Sequence, residues 1–155
     1  MNDRVAALDG EGDPLLLDRQ VCFPLYAATN LLNRLYGPVL RQLGLTYPQY
    51  LVMLVLWERA PQTVGTLGAR LYLDSGTLTP LLKRMEAAGH VTRSRDPEDE
   101  RRVVIGLTDA GRALRERALH VPGTIAKGRT PEGIEELRES VQKLVAALAE
   151  HSEQG

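Results

Sequence analysis

Between Leu17 and Leu43 the apolar residues recur at steps of three and four, through Val21, Leu25, Ala28, Leu32, Leu35, Val39 and Leu43. This is the period of one helix face. A bend is expected at Gly37-Pro38. Pro24, harmless only in a first turn, sets the start of regular helix near Val21 to Phe23. Gly44 ends the segment. Thr46-Tyr47-Pro48-Gln49 then has the spacing of a capping box, ahead of the apolar run Tyr50 to Trp57, and predicts a second, buried helix. Thr63 can cap a short helix through Leu71, with Gly65 and Gly68 permitting close approach. Asp74 can cap another, Ser75 to Ala88, stopped by Gly89. Two short helices joined by a tight turn make a helix-turn-helix.

Beyond Gly89 the period becomes two: Val91, Arg93 and Arg95 form one set, Val103, Ile105 and Leu107 another, around the polar stretch Asp96 to Arg102. This predicts a hairpin with a charged tip. Thr108 opens a helix from Asp109 to about Leu119, and Pro122 to Pro131 reads as a glycine-bearing connection. The last helix carries Ile134, Leu137, Val141, Leu144 and Leu148, a heptad seam that requires a partner helix. The expected fold is mainly α with a small β wing, a winged helix-turn-helix in one domain of 155 residues. No internal repeat is present.

Composition narrows the function classes. Hydrophobic residues at 43% and charged residues at 25% suit a globular chain, and no apolar run has the length of a membrane span. Residues 1–14, with four acidic residues and two glycines, resemble a disordered leader and not a signal peptide. A cytoplasmic protein without a membrane partner is expected. One cysteine and three scattered histidines give no metal-ligand spacing, so neither metal nor cofactor is expected. A net charge of −1 leaves no global footprint of nucleic-acid binding, and any such binding has to rest on local clustering.

Such a cluster exists. On the helix after Asp74, Leu78, Leu81, Leu82 and Met85 make one buried stripe. The other face is left to Ser75, Thr77, Thr79, Lys83 and Arg84, hydroxyls and cations suited to base edges and phosphates in a major groove. Taken alone, that is also the face of any solvated helix. The hairpin that follows adds Arg93, Arg95, Arg101 and Arg102, and an arginine on a projecting loop is what a narrow minor groove attracts. Asp99 can hold Arg101 extended. Because Asp96, Glu98, Asp99 and Glu100 cancel much of the wing's charge, recognition of double-stranded DNA has to rest on where a few arginines stand.

The order helix, helix, helix-turn-helix, wing with "DPEDERR", then "IGLTDAGRAL" resembles the MarR family of winged-helix transcription regulators, from roughly Leu15 to the end. Within it, "QVCFPLYAATN", "RLYGPVL" and "GLTYPQYLVMLVLWE" resemble the OhrR-type branch, which senses organic hydroperoxides. The resemblance implies a homodimer that represses from a palindromic operator and releases it on oxidation. Residues 15–45 and 109–150 would form its dimerisation helices and 46–108 its DNA-binding lobe. It also implies a sensing site of Cys22 as peroxidatic thiol with Tyr26, Tyr36 and Tyr47 as surrounding hydroxyls.

The thiolate is the attacking form, and an unperturbed thiol, of pKa about 8.5, is mostly protonated at neutral pH. A helix N-terminus and phenolic donors both favour the anion. Tyr26 lies one turn from Cys22. Tyr36 lies fourteen residues away, roughly 21 Å along a continuous helix, so Tyr36 can reach the sulfur only from the other subunit. The apolar wall of Phe23, Leu25 and Leu32 favours an alkyl or acyl hydroperoxide. The first product is a sulfenic acid, and with no second cysteine either a low-molecular-weight thiol forms a mixed disulfide, the expected course, or over-oxidation follows. Two readings compete. In one, the repressor responds to a small aromatic or phenolic ligand and Cys22 is incidental. In the other, the chain is a one-cysteine peroxidase, which no Thr-x-x-Cys or Cys-x-x-Cys arrangement supports.

Overall fold

The structure is a computed structural model and describes residues 13–152. The expected leader lies almost wholly outside the described residues. Leu17–Arg19 form a single 3-10 turn, after which Gln20 is extended. Helix α1 runs from Phe23 to Arg41, with Cys22 at its N-cap and Pro24 in its first turn, as the proline requires. Helix α2, Tyr47–Glu58, starts with the expected capping box: the Thr46 side chain accepts from the Gln49 N–H at 3.4 Å, and the Thr46 N–H donates to Gln49 Oε1 at 3.0 Å. Helix α3 (Val64–Leu71) is capped by Thr63, and α4 (Ser75–Ala87) by Asp74, whose carboxylate accepts from the Thr77 N–H at 2.7 Å.

Between α3 and α4 the chain turns on Tyr72, which sits in the left-handed region at φ 54°. The turn is tight because Gly68 lets the backbone come close: a Cβ there would stand 2.6 Å from the Leu73 carbonyl oxygen. Gly65 has no such role, since its Cβ would meet nothing nearer than ordinary van der Waals contact. The expectation of close approach holds for Gly68 and is corrected for Gly65, which faces out.

Strands β2 (Val91–Arg95) and β3 (Val103–Leu107) form the wing hairpin, in the register Val91 opposite Leu107 and Arg95 opposite Val103. A third strand was not expected from the sequence: β1, only Gln62–Thr63, pairs antiparallel with Ile105 and Val104 and gives the order β1-β3-β2. Two residues carry no readable alternation, which is why the pattern hid it. Helix α5 (Asp109–Ala118) is capped by Thr108. The connection after it contains a short helix α6, Gly123–Ala126, too brief to show a period. Helix α7 spans Pro131–Ser152.

One core joins these elements. Leu40, Val52, Met53, Leu56, Leu67, Leu78, Leu82, Met85, Val91, Ile105 and Val121 are all fully buried within it. The periodicity of α1 needs one correction. The positions it buries are Tyr36 and Leu40, with Leu32 and Val39 packed beside them, whereas Val21, Ala28 and Leu35 are exposed. This helix has two apolar faces, and only one meets the chain's own core. No residue of α7 is buried. Among the described residues no helix is long and apolar enough to cross a membrane.

Candidate nucleic-acid interface and thiol site

The helix-turn-helix and the wing enclose one groove of about 530 Å³, and its walls are strongly cationic. Ser75, Thr79 and Lys83 contribute from one edge of α4, each one turn from the next, while Arg93, Arg95, Arg101 and Arg102 contribute from the hairpin. Seven of the residues expected to read DNA are thus brought together. Thr77 and Arg84, two turns apart, are exposed on α4 but do not line this groove. Thr63, Val64 and Gly65 also line it. The sequence showed Thr63 only as a helix cap, because the pairing of β1 that swings it beside the wing is non-local.

The wing tip is organised by its own acids. Asp99 Oδ1 accepts from both the backbone N–H and the Nε–H of Arg101 at 3.1 Å, and Oδ2 accepts from Nη2 at 3.4 Å. These bonds hold the Asp99 carboxyl below the usual carboxylate range. Arg101 is nevertheless 92% exposed, a braced guanidinium presented to solvent. Arg95 Nη1 donates to the Glu100 carbonyl at 3.1 Å, and Asp96 accepts from the Glu98 N–H at 3.0 Å and faces Arg102 Nε at 3.8 Å. The carboxylates that dilute the wing's charge thus also fix its shape.

Cys22 is exposed at the N-cap of α1, and its carbonyl accepts the Tyr26 N–H at 3.2 Å. Tyr26, one turn on, is 68% exposed. Tyr36 and Tyr47 are elsewhere: Tyr36 is buried at 7%, with its ring centroid 5.1 Å from that of Tyr47. The four residues therefore fall into two pairs at opposite ends of α1, Cys22 with Tyr26 and Tyr36 with Tyr47. Burial raises the pKa of Tyr36, with the neighbouring Tyr47 adding to it, and burial raises that of Tyr47. Both phenols therefore stay protonated at physiological pH and are hydrogen-bond donors. The rings continue inward, Tyr47 to Tyr50 at 6.2 Å and Tyr50 to Trp57 at 6.5 Å. Trp57 Nε1 then donates to the Gly111 carbonyl at 2.9 Å, at the start of α5. This ladder was not seen in the sequence, where Tyr50 and Trp57 read only as core.

Comparison with known proteins agrees with this architecture. Residues 34–117 match the family described as transcriptional regulator SarA/Rot. The organic hydroperoxide resistance transcriptional regulator of Bacillus subtilis is 45% identical over 143 residues, 91% of this chain and 97% of that protein. Among solved structures, reduced AbfR bound to DNA is 40% identical, covers 86% of this chain and 93% of its own, and has a TM-score of 0.73. AbfR is a protein of Staphylococcus epidermidis. Its disulfide-formed structure is 42% identical, covers 83% and 92%, and has a TM-score of 0.59. The chain thus belongs to the MarR family of winged helix-turn-helix transcription regulators, in its OhrR-type branch, and with one cysteine it is of the one-cysteine subtype.

Proposed function

We propose that this regulator is a homodimeric repressor that binds a palindromic operator and lets it go when an organic hydroperoxide oxidises Cys22. The observation that carries the reading is the division of the sensing residues between two ends of α1, one solvent-exposed and one buried. A second copy, packed through the unfilled face of α1 and through α7, supplies what each thiol lacks: donors from the partner's Tyr36 and Tyr47. Residues 15–45 and 109–150 then serve the dimer and residues 46–108 the operator. Ser75, Thr77, Thr79, Lys83 and Arg84 face the major groove, with Arg95 and the Asp99-braced Arg101 at the backbone and minor groove. Two recognition helices must meet half-sites about 34 Å apart, so a change at the dimer interface is felt at the operator.

The chemistry is a two-electron oxidation. The Cys22 thiolate attacks the distal peroxide oxygen, the O–O bond breaks, an alcohol leaves, and the sulfur is a sulfenic acid. A low-molecular-weight thiol then displaces water to give a mixed disulfide, because the chain offers no second cysteine. The chain resembles AbfR more in its reduced, DNA-bound form than in its disulfide form, which supports a DNA-competent conformation here.

A second reading has one observation in its favour: a groove of about 500 Å³ between α1 and α6, lined by Leu35, Pro38, Val39, Gln42, His120 and Lys127 among others, of a size and charge for a small aromatic carboxylate. The experiment that separates the two uses a duplex selected by the wild-type protein from a random library. Cys22→Ser should bind it as tightly as wild type and keep it in the presence of cumene hydroperoxide, while wild type releases it after one equivalent. Equal release by both proteins would transfer the trigger away from the thiol.

A further inference from the structure

The arginines of the wing are not equivalent. Arg101 projects into solvent, whereas the Arg93 side chain is only 22% exposed. Its Nη1 lies 3.3 Å from Glu86 Oε2, and its Nε is closed off from solvent with no acceptor in reach. That takes two of the guanidinium's five N–H donors out of reach of a phosphate and fixes the direction of the rest. Glu86 stands in the last turn of α4, eleven residues beyond Ser75 and three beyond Lys83, on the helix edge that lines the groove. Arg93 is the middle residue of β2, opposite the buried Ile105.

The covalent link between α4 and β2 is a single turn. It passes through Gly89, at φ +82° with open space where a Cβ would stand, and is held by backbone bonds from the Gly89 N–H to the Glu86 carbonyl at 2.9 Å and from the His90 N–H to the Met85 carbonyl at 3.0 Å. Those bonds close the turn, and the pairing of β3 with β1 and the burial of Val91 and Ile105 anchor the base of the hairpin. The Arg93–Glu86 ion pair is a further tie, which joins the edge strand β2 to α4. The strand carries the tip roughly 10 Å beyond Arg93 at about 3.3 Å per residue, so a tilt of about 15° displaces Arg101 by about 3 Å, a full hydrogen-bond length.

We propose that Arg93 is a positioning residue which, through Glu86, sets the angle of the wing against the recognition helix, and that it does not itself neutralise a phosphate. This rests on the reading of the groove as a DNA cradle and removes Arg93 from the set of residues that touch DNA. The two roles predict opposite signs. If Arg93 contacted phosphate, freeing it from Glu86 and deleting a nearby negative charge would strengthen binding.

The test is the affinity for the selected duplex, read by fluorescence anisotropy from 50 to 300 mM salt, of Glu86→Gln, Arg93→Lys, Arg93→Ala and the double variant Glu86→Arg with Arg93→Glu, beside Arg101→Ala. Glu86→Gln and Arg93→Ala should each weaken binding about five-fold with the log–log salt slope unchanged, since no counterion-releasing contact is lost. Arg93→Lys keeps the charge and should lose less, and the exchanged pair should recover most of the affinity. Arg101→Ala should weaken binding and reduce the slope by about 0.9. Tighter binding by Glu86→Gln, or a slope reduced by Arg93→Ala as by Arg101→Ala, overturns the proposal. So does an exchanged pair no better than the single variants. Failure of the cradle reading looks different: wild type selects no duplex, or Arg101→Ala changes neither affinity nor slope, and the proposal falls with it.

Discussion

Cys22 and Tyr36 belong to one helix and yet, within one chain, the geometry keeps them apart, the thiol exposed at the first turn and the phenol buried beyond the third. What Tyr36 and Tyr47 can offer is a donated proton, because burial keeps both phenols protonated at physiological pH. A hydrogen bond to an anion is worth about 1.5–3 kcal/mol. Tyr36→Phe and Tyr47→Phe are therefore each expected to slow oxidation of Cys22 by about tenfold at pH 7, where 1.4 kcal/mol is one factor of ten. Stopped-flow oxidation by cumene hydroperoxide checks this, with operator affinity of the reduced protein unchanged. At the wing tip the relevant residue is Asp99, whose folded pKa lies below its ordinary value of 3.8 because Arg101 donates to it. A depressed carboxylate contributes its brace above that ordinary value and loses it as pH falls through the lower one. Operator binding should therefore show no titration from Asp99 between pH 5 and pH 8, which anisotropy over that range measures, whereas Asp99→Asn should weaken binding at every pH.

Among the elements, α5 is seated closely on the wing's base. A Cβ at Gly111 would stand 2.0 Å from the His90 carbonyl oxygen, while the Gly111 carbonyl accepts the Trp57 indole and its N–H donates to Thr108. The same Thr108 hydroxyl donates to the Gly89 carbonyl at 2.6 Å. Helix α2, helix α5 and the turn before β2 therefore meet at one glycine. Gly111→Ala forces that junction apart and should cost about 1–3 kcal/mol, seen as a lowered thermal midpoint together with shifted Trp57 emission, since the indole loses its fixed acceptor. The more distant Gly123, which has open space around it, should tolerate alanine in the same assay.

For the whole molecule the decisive feature is apolar surface left unburied. Leu31 and Leu35 on α1 and Leu137, Val141, Val145 and Leu148 on α7 are exposed. An amphipathic helix with nothing against its apolar stripe is not stable on propensity alone, so α7 demands a partner helix. In the proposed dimer that partner comes from the second copy. Leu137→Glu with Val141→Glu should convert the dimer to monomer at micromolar concentration in sedimentation, and should reduce operator affinity about a hundredfold or more, because a lone lobe meets only one half-site. The net charge of −1 argues the same way: with no basic field to draw DNA, the affinity has to rest on a few placed cations, which the proposed dimer would use twice.

Much of this architecture was legible along the chain because local rules govern it. The caps at Thr46, Thr63, Asp74 and Thr108 are all occupied as their spacing required, the start of α1 follows from Pro24, and the buried stripe of α4 follows from a period of 3.6. The strands β2 and β3 follow from a period of two. Three things were decided only in three dimensions. One is β1, whose two residues become a strand only because β3 offers an edge. Another is the division of α1 into two apolar faces, since a period says that residues share a face but not what covers it. The last is the unequal standing of the arginines: Arg93 and Arg95 alternate identically in sequence and both line the groove, but Arg93 is tied to Glu86 on α4 and Arg95 to the Glu100 carbonyl of the wing, because a charge acquires its role from neighbours that only tertiary packing brings within a few ångströms.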